Sequence, residues 1–321
     1  MAVWLVTGTT GFVGRHVLES LHGGATALST LDDSVFVLGR RSPPAWPCDR
    51  FVAAELTEAD SVRRAVEQIK PDFVIHTAGR TQPASDEELY RANFWTTIHL
   101  LAALRSMRKP VRIVLSGSAA ELGAVDPVYL PVDESHVGYP QDAYGRSKWL
   151  ATSAGLAERA PLEVIVARVF NPIGPGTPTS QAFGRFADRL TDPGSDPVDL
   201  QVGDLEARRD FIDVRDVARA MMALALNGRA GLVYNVGTGR SRRVGDGLDR
   251  LIELSGRAVR VSVDPALKSR SGPADSRARI DRIVNQTGWQ PTISWEHSIE
   301  DLWHEALARN RPPRIDKVAA A

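Results

Sequence analysis

Apolar residues fall along this chain in short runs, VWLVT (3–7), VFVL (35–38), FVIH (73–76), VRIVLS (111–116) and EVIVARV (163–169). These runs are rich in β-branched residues and apolar on successive positions, the pattern of strands buried on both faces. Between them lie segments of helix length such as ADSVRRAVEQIK (59–70) and EELYRANFWTTIHLLAALRSM (87–107). Strands and helices in turn predict an α/β fold, a doubly wound parallel sheet of Rossmann type with helices on both sides. After residue 170 the texture changes, and NPIGPGTPTS and TDPGSDPVD read as loops of Gly, Pro and Ser. A helix over 214–227 and a strand over 232–236 return to the sheet, so the second lobe is interleaved rather than appended. The expected division is a first domain over 1–170, rejoined by 210–240, a smaller lobe from 171–209 and 241–315, and a tail over 316–321.

Composition narrows the setting. With 321 residues, 43% of them hydrophobic, the chain can bury the core of one large unit or two coupled lobes. Lys and Arg number 39 and so do Asp and Glu, so no global charge points to nucleic acid or a membrane surface, and an anionic partner must be met locally. The single cysteine, Cys48, excludes an internal disulfide and suits a reducing compartment. No apolar run approaches 18 residues and MAVWLVTG has no basic stretch before its apolar one, so a cytoplasmic protein without membrane contact is expected; no bound metal is expected either.

The first run leads directly into TGTTGFVG (7–14), where Gly8, Gly11 and Gly14 are spaced GxxGxxG. Without side chains the backbone there can approach a pyrophosphate at the amino end of the next helix. Such a set alone can be a tight turn, and its place between strand and helix is what points to a dinucleotide. The second run ends in Arg40 and Arg41, with no Asp or Glu between 38 and 42. At this point an acid would accept hydrogen bonds from a free ribose, whereas arginine pairs with a 2′-phosphate. Two solvated arginines at a loop start are the alternative; NADP(H) is the expected cofactor, with NAD the other possibility.

Candidate chemistry lies in VLSGSAAELG (114–123) and DAYGRSKWL (142–150). Tyr144 and Lys148 are four apart and share a helix face. An ammonium beside the phenol would lower the tyrosine pKa from about 10 toward working pH and let it exchange a proton with a carbonyl or hydroxyl. The same spacing also suits a plain surface pair. Ser118 could bind the same oxygen, with Ser116 nearer the cofactor.

Taken in order, TGTTGFVG, HTAG (76–79), Asn93, Ser118 and Tyr144 with Lys148 resemble the extended short-chain dehydrogenase/reductase family, whose members act on nucleotide-linked sugars. The resemblance runs on through RVFNPIGPG (168–176), VGDLEARRDFIDVRDVARA (202–220), YNVGTG (234–239) and TGWQP (287–291), nearly the whole chain. GDLEARRDF and DESHVGYPQDAYGRSK are most similar to its GDP-6-deoxy-4-keto-mannose reductase branch. The resemblance implies a Rossmann domain with a small carboxyl-terminal substrate lobe, and catalytic roles for Ser118, Tyr144 and Lys148. It sets the cofactor against Gly8, Thr10, Gly11, Phe12, Val13, Gly14, Arg40, Arg41, Glu55, Leu56, Thr77, Ala78, Gly79, Asn93, Ser116, Tyr144 and Lys148. It assigns the substrate to Ser118, Asn171, Arg209 and Arg270, although Asn171 before Pro172 would serve equally as a turn residue. His76 is expected to be structural.

Departures from the family pattern sharpen the expectation. Dehydratases of the family carry an acidic pair just after the active-site hydroxyl, where this chain has Ala119 and Ala120; Glu121 is one position too late, so elimination lacks its acid and base. Glu55 before Leu56 stands where the family usually has Asp. The expected activity is reduction of a nucleotide-linked 4-keto-6-deoxy sugar with NADPH. An NAD-dependent 4-epimerase and a silent NADP-binding scaffold are the alternatives. A homodimer is expected through the helices over 87–107 and 142–159.

Overall fold

The computed structural model describes residues 2–22, 33–44, 46–47, 50–194, 196–268 and 272–310. Cys48, Arg270 and the tail lie outside the described residues. The apolar runs form strands β1 (Val3–Thr7) and β2 (Ser34–Gly39), then, after the short β3 (Phe51–Ala53), β4 (Phe73–His76), β5 (Val111–Ser118) and β6 (Leu162–Val169). With Val233–Val236 they make one seven-stranded parallel sheet, ordered Val233–Val236, β6, β5, β4, β1, β2, β3. The order reverses at β1, and the crevice beyond the carboxyl ends of β1 and β4 is where such sheets take ligands.

Successive side chains of each strand enter different cores. Trp4, Val6, Val37, Ile75, Val114 and Ile165 pack with helices α1 (Phe12–His22) and, late in the chain, Val214–Asn227. Leu5, Leu38, Val74, Ile113, Leu115 and Val164 pack with α2 (Ala59–Ile69) and residues of the 96–106 helix. With both faces apolar, a one-residue slip would exchange every side chain between two differently shaped cores, so packing fixes the register. A third core gathers Phe183, Phe186, Leu200, Leu248, Leu251, Leu302 and Trp303, all from the chain after residue 170. No described helix is long and apolar enough to cross a membrane.

Three local features differ from the sequence reading. The expected 87–107 helix is α3 (Asp86–Tyr90), a π-helical stretch Arg91–Trp95, and α4 (Thr96–Ser106). The wider turn buries Asn93, and π segments of this kind gather at functional sites. The supposed loop at 171 begins with Asn171–Ile173, which pairs in parallel with Phe211–Asp213. The supposed loop at 191–199 runs into the strand Val198–Val202, paired with Val259–Val263; its alternation VDLQV was hidden behind the Pro and Gly before it.

Both edges of the main sheet are short. β3 has three residues and Val233–Val236 has four. At the latter edge the Asn235 amide donates to Glu134 Oε1 at 3.0 Å, and Arg282 Nη1 donates to the Val233 carbonyl at 2.8 Å.

Candidate active site

The glycine loop fits a dinucleotide by what it leaves out. Gly8 has φ +77°, and a Cβ there would stand 2.5 Å from the Ala78 nitrogen; at Gly14 it would stand 2.2 Å from the Gly8 carbonyl oxygen and 2.5 Å from Thr77 Oγ1. Bare backbone thus lets α1 close onto the end of β4, bringing its first-turn amides, which precede any intrahelical acceptor, to the crevice. Thr10 and Gly11 are exposed at the tip, and Phe12 and Val13 are half-buried behind it. Thr77 Oγ1 donates to the Thr7 carbonyl at 2.7 Å, fixing Thr77, Ala78 and Gly79 against β1. Asn93 holds the far side: its Oδ1 accepts from Arg80 N at 2.8 Å, and its Nδ2 donates to Arg80 O and Ser147 Oγ, both at 3.0 Å. Its side chain is therefore engaged by protein, and it shapes the cofactor loop by holding Arg80.

Beneath the loop, His76 is buried with Nδ1 2.8 Å from Thr7 Oγ1 and Nε2 3.3 Å from Thr97 Oγ1. Burial, helped by the Lys148 charge, pushes it down to about 3 and keeps it neutral, which agrees with the structural role expected. Arg40 and Arg41 are exposed at the end of β2. Glu55 Oε1 accepts from Thr57 N and Oγ1, while its Oε2 lies 3.9 Å from Arg40 Nε. Leu56 is buried.

Ser118, Tyr144 and Lys148 come together at the end of β5. Helix α5 (Ala143–Ala157) starts at Asp142, whose carboxylate accepts from Gly145 N at 2.6 Å. Its Tyr144 phenol comes near enough to the Ser118 side chain for that group to favour the phenolate. Lys148 is buried and donates from Nζ to the Ser116 carbonyl at 2.5 Å. The electrostatics run against the sequence expectation. Burial pushes the Tyr144 phenol up, Ser118 pulls it back, and the charges of Glu121 and Asp142 push it up again. Desolvation of a phenolate outweighs the expected help from Lys148, whose ammonium is turned to a carbonyl and is itself pushed by burial down to about 8, with Glu121 opposing. Tyr144 is therefore a protonated acid at neutral pH.

On the small-lobe side, Arg209 Nη1 donates to the carbonyls of Arg208 at 2.7 Å and Pro273 at 2.6 Å. Asn171 Nδ2 donates to the Asp210 carbonyl at 3.2 Å. Asp210, between Arg209 and Phe211, was not singled out from the sequence. The structure makes it a buried hub, its carboxylate accepting from Thr238 N and Oγ1, Gly239 N and Ala278 N. The Val132 amide in turn donates to the Arg277 carbonyl and the Arg279 amide to Val132, tying the segment after Ser118 to the lobe.

With this geometry in hand, comparison with known proteins is decisive at family level. Residues 4–237 match the model of the NAD dependent epimerase/dehydratase family. The chain belongs to that family. Among relatives in the epimerase/dehydratase family, GDP-6-deoxy-D-mannose reductase of Pseudomonas aeruginosa is 30% identical over 316 residues, 95% of this chain and 97% of its own. The dTDP-6-deoxy-L-talose 4-dehydrogenase (NAD(P)(+)) of Kitasatospora kifunensis is 31% identical over 93% of each chain. The solved structure of RMD from Pseudomonas aeruginosa complexed with NADPH superposes with a TM-score of 0.80 and 27% identity, covering 96% of this chain and all of that one. The shared fold is the expected α/β Rossmann type, and the likeness to these relatives covers 93–96% of the chain.

Proposed function

We propose that the protein is an NADP(H)-dependent reductase of a nucleotide-diphosphate-linked 4-keto-6-deoxy sugar. The observation that carries this reading is the acid inventory around Ser118. Ala119 and Ala120 follow it, and the nearest acid, Glu121, is fully buried with Oε1 accepting the Ser118 amide at 2.7 Å. The site keeps a proton donor and an oxygen-binding hydroxyl, but it has no acid or base for elimination. A bound nicotinamide would supply the hydride. Tyr144 gives its proton to the sugar carbonyl oxygen, Ser118 donates a hydrogen bond to the same oxygen, and Lys148 holds the nicotinamide ribose. Residues 1–170 with 210–240 serve the cofactor. Residues 171–209 with 241–315 serve the substrate, with Arg209 for the diphosphate and Asn171 for the sugar. The two relatives named for 6-deoxy sugars support this substrate class.

Arg40 and Arg41 are the proposed 2′-phosphate contacts. Replacing both by alanine removes two charge-assisted bonds of about 1.5–3 kcal/mol each, so NADPH should bind about 10²-fold more weakly or worse while NADH binding is kept. Titration by fluorescence measures both. The function is tested by following NADPH oxidation against GDP-, dTDP- and UDP-linked 4-keto-6-deoxy sugars. Turnover of at least one is expected, and its absence across the panel would reject the assignment. The Glu55 carboxylate beside Arg40 favours a second reading, a 4-epimerase retaining NAD; equal affinity for NADH and NADPH in the parent protein would select it.

We also propose a homodimer through α3–α4 and α5. Trp95 and Trp149 are 48% and 41% exposed on these helices, large apolar side chains that a twofold contact would cover. Light scattering at micromolar protein should return twice the chain mass of 34.9 kDa; a monomer would remove this claim.

A further inference from the structure

Glu121 is a buried acid for which the proposed chemistry has no direct use. It closes a capping box with Ser118: the Ser118 side chain accepts from Ala120 N at 3.2 Å, and the Glu121 carboxylate accepts the Ser118 amide at 2.7 Å. The same oxygen accepts from Thr152 Oγ1 at 3.1 Å. Thr152 follows Tyr144 and Lys148 at the four-residue spacing that keeps all three on one face of α5. Room for the carboxylate comes from Gly117, where a Cβ would stand 2.7 Å from Oε1.

We infer that Glu121 is a positioning residue of the reaction centre: its carboxylate ties the Ser118 backbone to the catalytic face of α5 and supplies the counter-charge for the Lys148 ammonium. This rests on the reductase reading only for the identity of the substrate. The charged surroundings are few. Arg168 on β6 has Nε 3.5 Å from Glu121 Oε2, with side chains 7% and 0% exposed; Lys148 and Tyr144 face it from α5, and Asp142 acts on Tyr144 from the helix cap. On the other side of Lys148, His76 on β4 is neutral.

A structural role alone accounts poorly for this arrangement. Glu121 Oε2 and Arg168 Nε and Nη1 make no hydrogen bond among the described residues. A buried ion pair with incomplete hydrogen bonding is commonly no more stabilising than an apolar replacement, and perturbed buried charges gather where chemistry needs them. Glu121 raises Lys148 against the burial that lowers it. Burial raises Glu121 itself above the ordinary glutamate value, with Arg168, the Ser118 amide, Lys148 and Thr152 opposing it, and acceptance of two donors by one oxygen favours the ionised form.

The test reads Lys148 directly. The sequence has five lysines, so ¹³Cε-lysine NMR gives few signals, and Lys148→Arg assigns the one that matters. In the parent chain it should titrate near 8. Glu121→Gln keeps an oxygen for Ser118 and Thr152 but loses the charge, and should lower that midpoint by about one pH unit or more. An unchanged Lys148 midpoint overturns the inference. Because NMR needs no substrate, a failed search for a sugar nucleotide rejects the reductase reading while leaving this result intact. A second measurement needs no variant. The Glu121 ¹³Cδ signal of the parent protein, assigned through its own amide, should be that of a carboxylate at pH 8; a protonated Glu121 there overturns the inference as well.

Discussion

Tyr144→Phe is expected to cut turnover by about 10²- to 10⁴-fold, the usual worth of a positioned proton donor, while NADPH affinity stays within about twofold. Phenylalanine keeps the ring and its packing and removes only the hydroxyl. The raised phenol gives the loss a direction. A reductase needs tyrosine protonated, and burial holds it in that form at neutral pH, so reduction should fade only as alkaline pH removes the proton. The reverse oxidation, which needs the phenolate, should strengthen over the same range. Steady-state rates in both directions, with fluorescence titration of NADPH, check this; turnover retained by the phenylalanine variant would end the proposed mechanism.

Lys148→Met should do two opposite things, removing turnover and shifting stability in the protein's favour at neutral pH. Lys148 is 9% exposed, and its ammonium is held at about 8 against an ordinary 10.5. A lysine whose folded pKa lies below its unfolded one destabilises the fold fully below about pH 8, and that cost is relieved as pH rises to about 10.5. The gap corresponds to about 3 kcal/mol. Against it stands the Ser116 carbonyl that methionine leaves without a donor, about 1–3 kcal/mol. The variant should therefore be equal or more stable by about 1 kcal/mol at pH 7, and should lose about 3 kcal/mol relative to the parent by pH 10.5. Urea unfolding at the two pH values measures the difference, and a difference independent of pH would show that no charge is buried there.

What the sequence made legible followed from what is local. Runs of apolar residues placed β1 and β4 to the residue, because a strand buried on both faces needs an unbroken run. β3, only Phe51–Ala53, is too short for any pattern and exists because β2 offers it an edge. The π turn at Arg91–Trp95 leaves no mark on hydrophobic spacing, since it is set by what Asn93 must reach. Serine, tyrosine and lysine were found from their types and spacing, but not their protonation, which depends on burial and on where Nζ turns. Glu121 shows both sides. SAAE is a capping-box signature that could have placed its carboxylate on Ser118. Its partner Arg168 lies on another strand, and only the sheet order brings the two together.

The two short edges of the sheet bear on solubility. A long bare edge offers unpaired amides and carbonyls to any passing strand, and it is the usual route from a folded monomer to aggregate. Here one edge is three residues long, and the other has polar groups already engaged by Glu134 and Arg282. Strand-to-strand recruitment finds little to grip, even though the strands themselves are apolar enough to be hazardous if exposed during synthesis. The chain can thus carry a largely apolar sheet without offering its strands as a surface for association.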